Sequence, residues 1–152
     1  MFKGYRRGIG AMILNRDKKV FVARRMDFSA GLQMPQGGID DGETLERTLY
    51  REMQEEIGTN AFKIIRDLNY PLFYDFPRDL APKIHNGEYL GQAIHWFLVE
   101  FEGNDDDINI ETEHKEFNNW EWSEQKDLVD NVVSFKKTMY QTVVDAFRGL
   151  LL

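Results

Sequence analysis

Cysteine is absent from this chain of 152 residues, proline occurs only four times, and positive charge is in the minority. Without thiols, the chain has no disulfide, no thiolate metal site and no cysteine nucleophile. No stretch of it is long and apolar enough to predict a membrane span. The net charge of −7 argues against broad, sequence-independent binding along nucleic acid. It still allows the protein to hold one phosphorylated end, because bound cations offset carboxylates.

The rest of the composition is that of a globular enzyme, with 42% hydrophobic and 13% aromatic residues. Its length is enough for one domain with a buried core. No linker, repeat or break in composition divides the chain, so we expect a single domain over residues 1–152. The apolar start of the chain contains arginine and glycine, which favours a β-strand over a secretory signal, and a cytoplasmic location is the default expectation.

The most informative segment is residues 37–59, which read GGIDDGETLERTLYREMQEEIGT. Within it, the pattern G-x5-E-x7-R-E-Φ-x-E-E-x-G, where Φ is apolar, places a set of residues at fixed offsets. These are Gly37, Glu43, Arg51, Glu52, Met53, Glu55, Glu56 and Gly58. At typical residue usage a chance match is rare, about one in 10⁹ per window. The spacing therefore indicates a motif that the overall composition does not explain.

The second part of this segment, residues 44–57, is predicted to form an α-helix. Every fourth residue is apolar and forms one stripe: Leu45, Leu49, Met53 and Ile57. Gly58 is a stop signal directly after it. Before the helix, Gly37 and Gly38 let the chain turn sharply and let its backbone approach a ligand.

Three glutamates of this helix point to a metal site. Glu52, Glu55 and Glu56 stand at i, i+3 and i+4, so their carboxylates converge on one face. Carboxylates that close raise each other's pKa unless a cation intervenes, and their hard oxygens suit Mg²⁺ or Mn²⁺. The alternative is an ordinary solvated acidic face. Such a face, however, does not require the glycine pair, nor Glu43 and Arg51 at their offsets, where Arg51 can hold the loop and helix together.

The complete pattern resembles the Nudix box, the signature of metal-dependent hydrolases of nucleoside diphosphate-linked compounds. Beyond the box, the chain is similar along nearly its whole length to one Nudix subfamily, the bacterial RNA pyrophosphohydrolases or (di)nucleoside polyphosphate hydrolases. The matching words are Gly4-Tyr5-Arg6, Ala23-Arg24-Arg25, Gln33-Met34-Pro35-Gln36-Gly37-Gly38, Tyr74-Asp75-Phe76-Pro77, Gly91-Gln92 before Trp96-Phe97, Glu116-Phe117 before Trp120-Glu121-Trp122, and Val133-Ser134-Phe135-Lys136. Two positions depart from the pattern: Thr59 replaces an aliphatic residue and Leu32 replaces a tryptophan.

The resemblance implies a set of ligands for Mg²⁺, for which Mn²⁺ or another divalent cation can substitute. The implied ligands are the Gly37 carbonyl and the carboxylates of Glu52, Glu55, Glu56 and Glu116. Glu116 would be a remote acidic residue that reaches back to the metals. The catalytic candidates are Glu52, Glu55 and Glu116, and either Glu52 or Glu116 would take the proton of the attacking water.

The same resemblance implies which side chains touch phosphates or the terminal nucleotide. They are Arg6, Arg25, Tyr74, Gln92, Phe135 and Lys136. Phe135 and the guanidinium plane of Arg25 would sandwich a base, a stacking mode that tolerates any base. Each position has an ordinary alternative: the two arginines as surface charges, Tyr74 as aromatic core, and Phe135 as the buried edge of the last helix.

The expected reaction is metal-assisted hydrolysis of a phosphoanhydride. RNA with a 5′-triphosphate would lose pyrophosphate and keep a 5′-monophosphate, a step in mRNA decay. Diadenosine tetra- or pentaphosphate would release ATP, and the sequence does not rank these two substrates firmly. A third hypothesis is a non-catalytic nucleotide sensor, which the intact glutamate set disfavours. Sequence-specific DNA recognition and membrane association are not expected, and the sequence does not identify protein partners.

The remaining sequence predicts further strands and one more helix. Short apolar segments indicate strands over residues 8–14, 20–23, 62–70, 92–102 and 117–122, a long loop over 71–88, and an amphipathic helix over 132–151. This order fits an α/β fold with a mixed sheet between helices, an α/β/α sandwich. His85, His95 and His114 form no ligand set and are expected to be surface or core residues.

Overall fold

The computed structural model describes residues 4–27 and 31–151 of the chain. The strands in these ranges are β1 (Tyr5–Leu14), β2 (Val20–Arg25), β3 (Gln36–Gly38), β4 (Phe62–Asp67), β5 (Leu72–Asp75), β6 (Gly91–Phe101) and β7 (Phe117–Ser123). The α-helices are α1 (Leu45–Ile57), α2 (Leu128–Asn131) and α3 (Lys137–Leu151). Short 3₁₀ turns cover Ala81–Lys83, His85–Gly87, Asp105–Asp107, Gln125–Asp127 and Ser134–Lys136. No helix in the described part of the chain is long and apolar enough to cross a membrane.

The strands form one mixed sheet, as predicted. Its order is β4-β6-β1-β2-β7, with β3 paired to β1 and β5 paired to β6. The long β1 and β6 run parallel from the pair Tyr5–Gly91 onward, whereas the other pairings are antiparallel. The first half of β1 thus lies between β3 and β6, which places the glycine pair beside the centre of the sheet.

Helices cover both faces of this sheet, which confirms the expected α/β/α arrangement. On one face, the predicted apolar stripe of α1 packs on the sheet through Leu49, Met53 and Ile57. On the other face, α3 contributes Met139, Tyr140, Val143 and Phe147 to a second core. Burial of a large apolar side chain contributes about 1.5–3 kcal/mol, so each helix is held mainly by its stripe.

Helix α1 begins and ends where the sequence predicts. The Thr44 side chain accepts a hydrogen bond from the Arg47 amide at 3.2 Å and caps the first turn, which typically contributes about 1 kcal/mol. Gly58 adopts a left-handed conformation with φ of 74°, and its amide donates to the Gln54 carbonyl. Glycine adopts this conformation without a steric penalty.

Other boundaries differ from the prediction. The last helix begins at Lys137 and not at 132, because Val132 is extended, Val133 has a non-helical ψ of 142°, and Ser134–Lys136 forms a 3₁₀ turn. The strand predicted over 62–70 ends at Asp67. Residues 71–88 are not one long loop, since β5 lies within them and pairs with β6.

Candidate active site

A cavity of about 310 Å³ opens beside the glycine pair, between the first part of β1, helix α1, strands β5 and β6, and the turn before α3. Most of the residues that the sequence singles out line it: Arg6, Arg25, Gly37, Glu52, Glu56, Tyr74, Gln92, Glu116, Phe135 and Lys136. Glu55 does not line the cavity. The topology therefore brings together side chains from distant parts of the chain, and it leaves Glu55 on the flank of α1.

The two glycines of β3 are required by close approach of other groups. A Cβ on Gly37 would lie 2.0 Å from Cδ of Glu52, and a Cβ on Gly38 would lie 2.1 Å from Nη2 of Arg6. Both distances are far below van der Waals contact. Because these positions have no side chains, the Glu52 carboxylate and the Arg6 guanidinium can lie directly against adjacent peptide units of β3.

Arg51 joins the helix to this strand. Its guanidinium donates to both Glu43 carboxylate oxygens at 2.7 and 2.8 Å, to the Gly38 carbonyl at 2.8 Å, and to Glu52 and Glu55 at 2.9 and 3.2 Å. The hydrogen bonds from Arg51 lower the pKa of Glu43 to about 2, so Glu43 stays ionised. Arg51 and Glu43 thus fix the position of Glu52 relative to the glycine pair.

Glu52 and Glu56 form a buried carboxylate pair at the cavity. They are 8% and 3% exposed. Burial raises the pKa of Glu52, although Arg51 opposes this, and burial together with the neighbouring Glu52 raises the pKa of Glu56 well above its ordinary value. Among the described residues, Oε2 of Glu56 is buried and has no hydrogen-bond partner. A divalent cation would supply the missing charge and the missing partner.

The carboxylates are not clustered around one point. In the ranges that the structure describes, no group of three or more histidine, aspartate or glutamate side chains is arranged to hold a metal ion. Their oxygens are drawn to arginines: Glu52 and Glu55 to Arg51, and Glu116 to Arg25. The donor type and the unpartnered oxygen of Glu56 fit a hard cation, and its binding would require carboxylates to turn away from these arginines.

Arg25 is at the end of β2 and is held by two acids. Its Nη2 donates to Glu116 at 2.9 Å, and its Nε donates to Asp27 at 3.0 Å. The antiparallel pairing of Arg25 with Phe117 places it next to Glu116. Arg25 is thus an ion-paired wall of the cavity and not an isolated surface charge.

An aromatic wall faces the charged groups. The rings of Tyr74 and Phe135 are stacked, with centroids 5.9 Å apart and planes 28° apart. The ammonium of Lys136 lies 5.4 Å from the centroid of the Tyr74 ring and donates to Gln33 Oε1 at 2.6 Å. Burial, and to a lesser extent Arg25, lower the pKa of Lys136 to about 7. Tyr74 and Phe135 also pack against the core, so they belong to both the core and the cavity.

Several cavity residues were not predicted from the sequence. These are Asp27, Gln36, Phe76, Lys83, Ile84 and His85. His85, which the sequence assigned to surface or core, reaches the wall through a turn in which His85, Asn86 and Gly87 all have positive φ. The Asn86-Gly87 pair was the available signal, because both residues tolerate this conformation. His95 instead pairs with Asp67 at 3.0 Å.

Comparison with known proteins adds a family to this geometry. Residues 4–143 match the NUDIX domain family. A protein named RNA pyrophosphohydrolase from Wolbachia sp. subsp. Drosophila simulans (strain wRi) is 43% identical over 148 residues, which are 97% of this chain and 91% of that protein. A protein of the same name from Rickettsia prowazekii (strain Madrid E) is 45% identical over 148 residues, 97% of this chain and 92% of its own.

A solved structure supports the same fold. The E. coli dihydroneopterin triphosphate pyrophosphohydrolase superposes with a TM-score of 0.73 at 18% identity, over 95% of this chain and 99% of that one. The subfamily resemblance that the sequence motifs indicated is confirmed by the relatives, and the fold is confirmed by the structure.

Proposed function

The chain belongs to the NUDIX family, and we propose that its substrate is the 5′-triphosphate end of RNA, from which it releases pyrophosphate and leaves a 5′-monophosphate. That it is a hydrolase of pyrophosphate bonds follows from the family and from the relatives. The observation that carries the proposal is the 43–45% identity, over 97% of the chain, to proteins named RNA pyrophosphohydrolase. The cavity supports it by bringing charged and aromatic residues of the matching words together.

Nudix hydrolases generally need divalent cations, and we propose Mg²⁺ here. The residues that would hold it are Gly37, through its carbonyl, and Glu52, Glu56 and Glu116, which line the cavity. Glu55, on the flank of α1, would have to leave Arg51 to join them. When bound, the cation supplies charge for the polyphosphate and lowers the pKa of a water. Within the chain itself, Arg51 keeps Glu52 against Gly37, and Glu52 or Glu116 is the base that accepts the proton of the attacking water.

The chain's cations and rings bind the substrate in this proposal. Arg6 lies against Gly38, the Lys136 amino group lies over the Tyr74 ring, and both side chains line the cavity, so both can meet the polyphosphate, whose negative charge favours the protonated form of Lys136. The side-chain amide of Gln92 is a further group that contacts the substrate. The half-buried Phe135 presents a ring that, with the Arg25 guanidinium, stacks on the terminal base.

A second candidate is hydrolysis of diadenosine tetra- or pentaphosphate with release of ATP. A second group of rings favours it: Phe76 and His85 have centroids 6.5 Å apart, and His85 and Tyr89 6.3 Å. Because Phe76 and His85 also line the cavity, a second nucleoside would find a ring surface there. A purely binding, non-catalytic role is less favoured, since the buried carboxylate pair has no function in it.

A parallel assay tests the proposal. Purified protein with Mg²⁺ is given a triphosphorylated RNA and diadenosine tetraphosphate, and products are separated and identified. The proposal requires pyrophosphate and monophosphorylated RNA, with greater kcat/KM on RNA than on the dinucleotide. Mg²⁺ should also raise the Tm, by mass action, and raise it less in Glu56→Gln. An equal shift in both proteins would remove Glu56 from the cation site.

A further inference from the structure

The side-chain amide of Gln92 is held by two donors. Nε2 of Gln36 donates to its Oε1 at 3.2 Å, and the Tyr74 hydroxyl donates to the same oxygen. Both hydrogen bonds of Gln92 to other described side chains therefore end on its oxygen. The nitrogen of the amide, with two N–H groups, is left for a ligand in the cavity that Gln92 lines.

The sheet register builds this arrangement. Tyr74 is opposite Gln92 across β5 and β6, and Arg6 is opposite Gln92 across β1 and β6. Gln36 reaches from β3, on the other side of β1. Strand β1 lies between β3 and β6, with Gly10 opposite Gln36 and Arg6 opposite Gln92, so the two glutamines extend from strands on either side of β1.

The Tyr74 hydroxyl is a dependable donor in this group. Burial raises its pKa above the ordinary value for tyrosine, so the hydroxyl keeps its proton at neutral pH. With Nε2 of Gln36 directed at Gln92, an exchange of the Gln92 oxygen and nitrogen would set one N–H against another, whereas the Tyr74 hydroxyl can accept as well as donate. The orientation of Gln92 therefore depends mainly on Gln36.

Gln36 is not the side chain that stability alone would favour. It is 8% exposed, and among the described residues its Oε1 is buried without a hydrogen-bond partner. An unpaired buried polar atom is destabilising, and an apolar residue of similar shape would remove it. A buried polar side chain that leaves one atom unpaired, and whose other polar atom contacts a cavity-facing amide, has the features of a functional residue.

We propose that Gln36 is a positioning residue, which fixes Gln92 with its Nε2 directed at the polyphosphate of the substrate. This inference rests on the proposed function, because it assigns the anion that Gln92 meets. It predicts opposite effects of one substitution on binding and on stability. Substitution of a residue that only supports the fold would instead lower stability and weaken binding together.

The test is a double-mutant cycle of Gln36→Met and Gln92→Met, with methionine as an apolar side chain of similar length. Steady-state kinetics are measured with a 5′-triphosphorylated oligoribonucleotide and Mg²⁺, and Tm is measured alongside. Gln36→Met should raise KM about three- to tenfold, the size of one net hydrogen bond, and leave kcat within about twofold. Its Tm should be equal to or above that of the wild type.

In the Gln92→Met background, Gln36→Met should change KM by less than about twofold, because a residue that acts through Gln92 has nothing left to position. Gln36→Leu is a second apolar variant, should methionine repack. The matched control is Ser123→Ala, which also removes a hydrogen bond of a buried polar side chain, to the Glu124 carbonyl, but away from the cavity. It should leave KM unchanged.

The inference would be overturned if the effects of the two substitutions on KM were additive. It would also be overturned if Gln36→Met lowered Tm and left KM unchanged. If the wild type hydrolyses neither RNA ends nor diadenosine tetraphosphate, the proposed function itself fails. The same cycle is then measured on the Kd for inorganic tripolyphosphate with Mg²⁺ by calorimetry. If the two substitutions weaken tripolyphosphate binding non-additively, the role of Gln36 is retained. If their effects on the Kd are additive, or if there is no effect, the role is rejected.

Discussion

Arg25 donates from Nη2 to Oε2 of Glu116 at 2.9 Å, so the cation proposed to stack on a base is tied to the carboxylate proposed to reach a metal. If the Glu116 carboxylate turns to bind a metal ion, its hydrogen bond with Arg25 is weakened. The two proposed roles are therefore linked, and by reciprocity any effect of the metal on base binding should be matched by an equal effect of the base on metal binding.

Substitution of the two acids on Arg25 separates these roles. Glu116→Gln should lower kcat by at least about tenfold if the carboxylate serves the metals. Asp27→Asn weakens the other ion pair of Arg25, at 3.0 Å, and should leave kcat within about twofold. Steady-state kinetics on triphosphorylated RNA provide the comparison. Equal losses in both variants would mean that only the ion pairing of Arg25 matters.

Glu52 and Glu43 should differ in their effect on catalysis. Glu52→Gln removes a proposed ligand and base that lies on Gly37, so kcat should fall by at least about a hundredfold. Glu43→Gln weakens only the ion pair with Arg51, so kcat should fall less. The measurement is kcat at saturating Mg²⁺, with Tm as the check on folding. A more damaging Glu43→Gln would reverse the two roles.

Phe135 can be tested against a core residue of the adjoining helix. Stacking on an aromatic contributes about 1–3 kcal/mol, so Phe135→Ala should weaken substrate binding about five- to 150-fold. Phe147 is 1% exposed and lies away from the cavity, so Phe147→Ala should lower Tm and leave KM unchanged. If the two variants behave alike, Phe135 is a core residue and does not stack on the base.

Lys136 predicts a pH dependence of stability. Its pKa is about 7 in the fold and 10.5 ordinarily. Below pH 7 the ammonium is charged in the folded and the unfolded chain, and the fold bears the full cost of burying it. Between the two values the folded chain binds fewer protons, so that cost declines as the pH rises.

Lys136→Met should therefore raise Tm most below about pH 7, and the advantage should fade as the pH approaches about 10. Thermal unfolding of both proteins across this range measures it. Activity of the variant should fall, because the polyphosphate loses a cation. An advantage that is constant with pH would show that Lys136 is charged throughout or is not buried.

The sequence was most informative where local signals agree. Helix α1 was predicted because Thr44, the apolar stripe and Gly58 mark its start, face and end. Strand β3 was missed, since its residues Gln36–Gly38 are too short and too rich in glycine for a periodic pattern. Strand β5 lies between prolines, which suggested a loop; at the border of a sheet such residues are tolerated.

Spacing alone could not identify the contacts of the cavity. Arg25 and Glu116 are 91 residues apart in sequence, and only the pairing of β2 with β7 brings them together. Gln36 was visible as part of a matching word, but its contact with Gln92 depends on the pairing of β3 and β6 with opposite sides of β1. The family resemblance supplied candidates for the site, and the sheet register supplied their partners.

The close approaches at Gly37 and Gly38 have a consequence for genetics. Every amino-acid change that a single base substitution makes in a glycine codon adds at least a Cβ, and at these positions it would collide with Glu52 or Arg6. Both collisions are with side chains at the cavity and not with the core. A screen for missense alleles that abolish activity but keep normal protein abundance should therefore recover these two codons repeatedly.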